Sequence, residues 1–295
     1  MADDHFSYGG QAVIEGVMIR GRKGYATAFR LADGGLEVAQ QTWVPLTQRH
    51  RLLRLPIIRG TPALIDALIV GYRTLIASAD VAARGEGIKP PSAFHYALSI
   101  AFALVIAIGG FVLLPSAVIP KLHLNALLLN LIEGAIRFIV FVGFILTVSL
   151  MPDMRRVFQY HGAEHKVINA FEATGRYGQE EAKNHGTIHQ RCGTSFIFMV
   201  LFVGILVHAV VGWPEWQWRL LSRLLLLPVV AGISYELVKL AGAHKSSLLM
   251  RFIVAPGMWM QRITTRRPTE DQVEVAISAL EGALALDAVE APTEG

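Results

Sequence analysis

The residues best suited to chemistry lie in one short stretch, Tyr160-His161-Gly162-Ala163-Glu164-His165-Lys166. His161 and His165 stand four apart. On a helix both imidazoles leave the same face, and two ring nitrogens so placed can reach one ion at about 2 Å each. Glu164, beside the second histidine, is positioned to hold a water on such an ion and take its proton. The order His-x-x-Glu-His is that of the inverted zinc peptidases, and a divalent ion such as Zn2+ lowers the pKa of its water to about 7. Two imidazoles do not complete a zinc site. Glu172 lies eleven residues from His161, roughly 16 Å of rise at 1.5 Å per residue, so one ion cannot touch both on a straight helix. The third ligand must come from elsewhere, or from a bend after Gly175. The stretch HGTIHQRC offers His185, His189 and Cys192; the last two, three apart, also suit joint ligation on a turn. Four of the ten histidines and the sole cysteine thus fall within 32 positions, which lifts the motif above a chance five-residue pattern. Without an ion, the same stretch is a solvated helix carrying histidines near a membrane surface.

These residues must be positioned by an unusually apolar chain. Of 295 residues, 53% are hydrophobic and 17% charged, a balance that points to a membrane protein. The net charge of +4 comes with no dense basic patch, so no nucleic-acid partner is expected. One cysteine excludes an internal disulfide framework and a cysteine-only zinc site. No apolar run of signal-peptide type opens the chain. Four stretches have the length and apolarity of membrane spans: 93–119, 124–150, 195–213 and 220–241. Lysine and arginine number 11 before the first span, 6 in the loop 151–194 and 5 after Gly242, against Lys121 and Arg219 alone in the two short loops. By the positive-inside rule both termini and the long loop are expected in the cytoplasm, with the turn bearing Trp213, Trp216 and Trp218 outside.

The N-terminal part alternates apolar and polar residues around the turn Asp33-Gly34-Gly35 and reads as a small antiparallel sheet over 8–47. An apolar helix follows over 61–83. On it Arg59, Asp66, Arg73 and Asp80 recur every seven residues, forming one charged stripe. The simplest reading is an interfacial helix with its charged edge in water; the alternative is a helix lying against the long loop. Thr269 and Gln272 form a capping box for a last helix, and 291–295 are expected to fray. The expected fold is therefore mainly α: a polytopic membrane protein with about four transmembrane helices, a small N-terminal antiparallel β subdomain and a C-terminal amphipathic helix. Its expected divisions are a β-rich subdomain (1–55), an interfacial helix (56–92), a transmembrane hairpin (93–150), a His/Cys-rich loop with a helix (151–194), a second hairpin (195–242) and a tail with an amphipathic helix (243–295).

The segments GGQAVIEGVMIRG, YHGAEHK, RCGTSF, VAGISYE, PGMWMQRITTRRP and VEVAISAL resemble the YqhQ-like family of bacterial membrane proteins across almost the whole chain. The resemblance implies a bacterial inner-membrane protein, often labelled a metal-dependent enzyme from its motifs, with no substrate attached. Its matching polar positions are Gln11, Glu15, Arg20, His161, Glu164, His165, Lys166, His189, Arg191, Cys192, Thr194, Ser195 and Glu236. Gln190 stands where the family pattern has proline, and His185 lies outside that pattern.

The expected site comprises Glu164 as base, metal ligands among His161, His165, His189 and Cys192, and Glu15, Lys166, Arg191 and Glu236 around them. Glu133 and Arg137 read as an ion pair inside the second span, and Glu236 with Lys239 as a pair near the cytoplasmic end of the fourth. Thr194 and Ser195 read as a helix cap. Two functions follow: a metal-dependent hydrolase acting on an unknown substrate at the cytoplasmic face, or a non-enzymatic scaffold, assembly factor or transporter with a structural His/Cys cluster. The lipid bilayer is the expected surrounding of either.

Overall fold

A computed structural model describes residues 6–115, 119, 124–244 and 247–289. Pro120, Lys121 and 291–295, where fraying is expected, lie outside the described residues. The chain opens with four short strands, β1 Gly9–Val13, β2 Gly16–Arg20, β3 Gly24–Arg30 and β4 Leu36–Thr42, paired antiparallel in the order β1-β2-β3-β4. The Asp33-Gly34-Gly35 turn does join β3 to β4, with the Leu31 N–H bonded to the Gly35 carbonyl at 2.9 Å. A side-chain period of two sends Val17, Ile19, Ala26 and Ala28 to one face and Met18, Tyr25 and Phe29 to the other. Both faces are covered, so the inner strands are buried without interruption rather than on alternate residues.

Ten α-helices follow among the described residues. A short turn α1 (Leu46–Arg49) and a 3-10 turn (Arg51–Arg54) lead to α2 (Gly60–Gly85). Helix α3 (Ala93–Ile108) runs on into a π turn, Gly109–Leu113. Then come α4 (Ala126–Ser149), α5 (Pro152–Thr174), α6 (Gln179–Lys183), α7 (Gly193–Val211), α8 (Trp216–Ala243), α9 (Leu248–Thr264) and α10 (Glu270–Ala288). Helices α5 and α10 cover the first sheet face through Tyr160, Ala163, Val167, Ile168, Ala276 and Leu280. Helix α2 covers the second through Val70 and Val81. Helices α7, α8 and α9 share a separate core of Met199, Val203, Val230, Ala241 and Val254. Four helices are long and apolar enough to cross a membrane: Ala93–Phe111, α4, α7 and α8. The structure is therefore a layered β–α unit attached to a helical membrane part.

Several expectations change in detail. The first span carries a π turn at Gly109–Leu113 and is helical again at 114–115, and 116–118, just before its expected end at 119, lie outside the described residues. Helix α7 begins at Gly193 with Cys192 as N-cap residue, so neither Thr194 nor Ser195 caps it. Ser195 is buried inside the first turn and accepts a hydrogen bond from Gln261 Nε2 at 2.8 Å. The charged stripe on α2 does not simply meet water. Arg59 binds Glu236, buried Asp66 accepts from the Leu46 N–H, Arg73 lies over the Trp43 ring and Asp80 accepts from the Tyr96 hydroxyl. Glu236 accordingly pairs with Arg59 and not with Lys239. The tail holds a further helix, α9, which runs through Pro256. The Glu133–Arg137 pair is present at 2.9 Å, and Arg223 of α8 joins it, so Glu133, 1% exposed, is shared by two guanidinium groups. That arrangement offsets the cost of a carboxylate at membrane depth. The final capping box is formed as expected.

Candidate metal centre

Helix α5 carries four of the expected site residues, His161, Glu164, His165 and Lys166. Proline at its first position suits its start, and Gly175 in the left-handed conformation ends it. The chain turns there and returns Cys192 to His161. Glu172 lies about three turns beyond His161 on the same helix, where it binds the guanidinium of Arg191 and stands 3.4 Å from His189 Nε2.

The imidazoles of His161 and His165, one turn apart, meet edge to face with ring centroids 4.4 Å from each other. Each has its Nδ1 on a backbone carbonyl, His161 on Thr264 at 2.9 Å and His165 on Thr187 at 2.6 Å. A carbonyl only accepts, so each Nδ1 carries its proton and each Nε2 keeps a free lone pair. This is the usual second contact of a metal-binding histidine. Cys192 Sγ lies 3.3 Å from His161 Nε2, and one donor atom from each of His161, His165 and Cys192 falls within 4.8 Å of the others. Tetrahedral bonds of about 2.0 and 2.3 Å put nitrogen and sulfur about 3.5 Å apart, close to the 3.3 Å between His161 Nε2 and Cys192 Sγ.

Glu164 faces the same pocket, a cavity of about 150 Å³ also lined by Gly10, His161, His165, His189, Arg191 and Cys192. The carboxyl is 4% exposed. Its Oε1 accepts the Gly10 N–H at 3.0 Å, while its Oε2 is buried without a partner among the described residues. Burial pushes the Glu164 carboxyl up, against the opposing effects of His161, His189 and the Gly10 N–H. Burial likewise pushes His165 down, which favours the neutral imidazole that ligation requires.

The remaining expected residues are distributed as follows. His189 lines the pocket but turns its Nε2 toward Glu172, and it stands outside the trio. Arg191 lines the pocket and donates to Ser7 Oγ at 2.5 Å. Lys166 points away, to the His185 carbonyl at 2.5 Å, and His185 bonds the Glu181 carbonyl instead of joining the cluster. Glu15 binds Arg156 and Tyr160, and Glu236 binds Arg59 and the Ile57 N–H, so the fold brings neither to the pocket.

Sequence reading missed the groups that orient the cluster. Gly10, Thr187 and Thr264 act through backbone atoms, which leave no side-chain signature. Gln261 is different. It is wholly buried; its Oε1 accepts the His189 N–H at 2.8 Å and its Nε2 donates to the His189 carbonyl at 2.7 Å. A lone glutamine closing the apolar run of PGMWMQRITTRRP was a readable signal for such a clamp.

Fold and composition together define a polytopic α-helical membrane protein with a small β-sheet unit. The chain belongs to the family described as "Protein of unknown function (DUF1385)", whose model matches residues 55–286. It is 34% identical over 304 residues to the "Uncharacterized protein YqhQ" of Bacillus subtilis (strain 168), covering 96% of this chain and 94% of that one. These matches bear out the family resemblance of the motifs. No solved structure matches the chain.

Proposed function

We propose that this chain is a metal-dependent hydrolase of the membrane surface, with one divalent ion, zinc by its nitrogen and sulfur ligands, held by His161, His165 and Cys192. The observation that supports it most is the pair of Nδ1–carbonyl bonds, which leave both Nε2 lone pairs free beside the Cys192 sulfur. Three protein ligands leave a fourth position open, the pattern of catalytic rather than structural zinc. When bound, the ion supplies Lewis acidity and brings the pKa of a water it carries to about 7. Glu164, which lines the cavity and whose Oε2 is buried without a partner among the described residues, is the base that receives a proton there. The Gly10 N–H holds the other carboxylate oxygen and fixes its direction. Arg191, on the cavity wall, offers positive charge to an oxygen that gains negative charge.

Metal analysis of the purified full-length protein tests this reading. Wild type is expected to carry about one equivalent of zinc. His165→Ala and Cys192→Ser should lose it, and Glu164→Gln should retain it, because Glu164 serves the water and not the ion. Wild-type protein that neither carries nor takes up a stoichiometric divalent ion would overturn the site. X-ray absorption showing four protein ligands would overturn the catalytic role and leave the structural scaffold.

A further inference from the structure

A second, larger cavity of about 790 Å³ adjoins the candidate centre and shares Ser7, Arg191 and Gly193 with it. It lies between the first turns of α2 (Ala63, Leu64, Ala67), the first turn of α7 (Phe196) and the last turns of α8 (Tyr235, Val238, Gly242). Its size is that of a small-molecule site, at the upper end of roughly 300–1,000 Å³. Most of its wall is small or apolar, and its two cationic lining residues are Arg191 and Lys239. Lys239 has no ion pair among the described residues, since its neighbour Glu236 is engaged by Arg59. The stem of Arg191 runs over Gly242, where a Cβ would stand 3.0 Å from the arginine Cδ. A small residue there lets the guanidinium pass from the groove to the wall of the metal pocket.

An apolar groove at the ends of two membrane-crossing helices, lined by a lysine without an ion pair among the described residues, matches one ligand chemistry. We infer that the groove holds the acyl part of an anionic phospholipid from the surrounding leaflet, with Lys239 facing its phosphate and the headgroup ester directed to the candidate centre; Arg191, held by Glu172, forms part of the wall between the two. The apolar lining recognises chains that a water-soluble phosphate lacks, and Lys239 distinguishes an anionic from a zwitterionic headgroup. Binding follows from the groove alone; that the lipid is also the substrate rests on the hydrolase reading above.

The test uses full-length protein in phosphatidylcholine vesicles, with a phosphatidylglycerol analogue carrying a diazirine in its acyl chain. After irradiation, labelled peptides are mapped. Labelling should concentrate on residues 61–67 and 235–243. Lys239→Gln should reduce it about fivefold, the factor represented by about 1 kcal/mol per cationic side chain at a membrane surface. It should leave labelling by the matching phosphatidylcholine analogue unchanged. Ala67→Phe fills the groove and should remove labelling of both segments; should that variant fail to fold, Lys239→Gln carries the comparison alone. Labelling spread evenly over the outer faces of α3 and α4, or a phosphatidylcholine analogue as effective as the anionic one, would overturn the inference. The readout needs no turnover and no ion. A protein that neither carries nor takes up a divalent ion but still labels refutes the hydrolase and keeps the lipid site, whereas a zinc-loaded protein that does not label refutes the lipid site and keeps the centre.

Discussion

Glu15 shows how a single residue in a recurrent motif acquires its role from its neighbours. It occupies the turn between β1 and β2 with φ +48°, a backbone conformation unusual for glutamate. Arg156 holds its carboxylate in a two-pronged ion pair at 2.6 and 2.5 Å, and the Tyr160 hydroxyl donates at 3.1 Å. Partial burial disfavours the charged form, but Arg156 and Tyr160 outweigh it and hold the carboxyl below its usual range. A carboxyl with a lower pKa folded than unfolded stabilises the fold fully above its unfolded pKa of about 4.3, and that stabilisation is lost as pH falls through the folded value. Glu15→Gln should therefore lower stability at pH 7 by on the order of 1 kcal/mol, the scale of a half-exposed, bidentate pair. Denaturation midpoints of wild type and variant should converge as the pH is taken below 4.3. A gap that persists unchanged into acid would assign the effect to packing instead of charge. The motif GGQAVIEGVMIRG made Glu15 legible as a special residue. Its partners were not legible, because Arg156 lies 141 positions away and nothing in the local pattern encodes that approach.

At the scale of elements, the helix bearing the histidines is held against the segment between α9 and α10. The contact depends on Gly162, the residue after His161. A Cβ built there would stand 2.0 Å from the Arg266 carbonyl oxygen. The Arg266 N–H in turn bonds the Phe158 carbonyl at 2.9 Å, and Thr264, two residues before, supplies the carbonyl that orients His161. In an open helix glycine costs about 1 kcal/mol relative to alanine, so Gly162→Ala on propensity alone would stabilise. Here the sign should reverse. Backbone cannot move aside as a flexible side chain can, and the variant should lose about 1–3 kcal/mol, the scale of overpacking. It should also bind metal more weakly than wild type while retaining all three ligands. Thermal unfolding and metal titration read the two effects, and a variant as stable and as tightly loaded as wild type would refute the close contact. Element type was largely legible: the turn residues marked the sheet, apolar length marked the four spans, and the capping box marked α10. Helix α9 was missed because Pro256 interrupts its pattern, and the edges of the spans shifted because Gly193 and Trp216 continue helices into polar sequence. Of the site, the sequence carried the ligand types and the α5 spacing. Whether His189 or Cys192 would meet them depended on how the loop between α6 and α7 is clamped by Gln261, a tertiary contact across 72 positions.

At the scale of the whole molecule, the membrane settles what the chain alone leaves exposed. The apolar window Ala93–Phe111 has none of its residues buried by the protein, and α4, α7 and α8 keep most of theirs outward. In water such surface would drive association; in a bilayer it is solvated. An even number of crossings puts the β-sheet unit and α10 on the same side. The segments before the first span, between α4 and α7 and after α8 carry 22 of the 27 lysine and arginine residues, whereas the turn between α7 and α8 is short and followed by Trp216 and Trp218, both exposed. By the positive-inside rule this charge asymmetry predicts that the sheet, the candidate centre and both termini face the cytoplasm. Expressed in bacteria, alkaline phosphatase fused after Glu215 should be active, and a fluorescent protein fused after Gly295 should fluoresce. The opposite pattern would invert the topology. It would also place Cys192 in an oxidising compartment, where a lone thiol beside two histidines is not protected by the cytosolic thiol pool. The cytoplasmic orientation therefore bears directly on whether Cys192 stays reduced and free to ligate an ion, and the two fusions test that condition independently of any metal measurement.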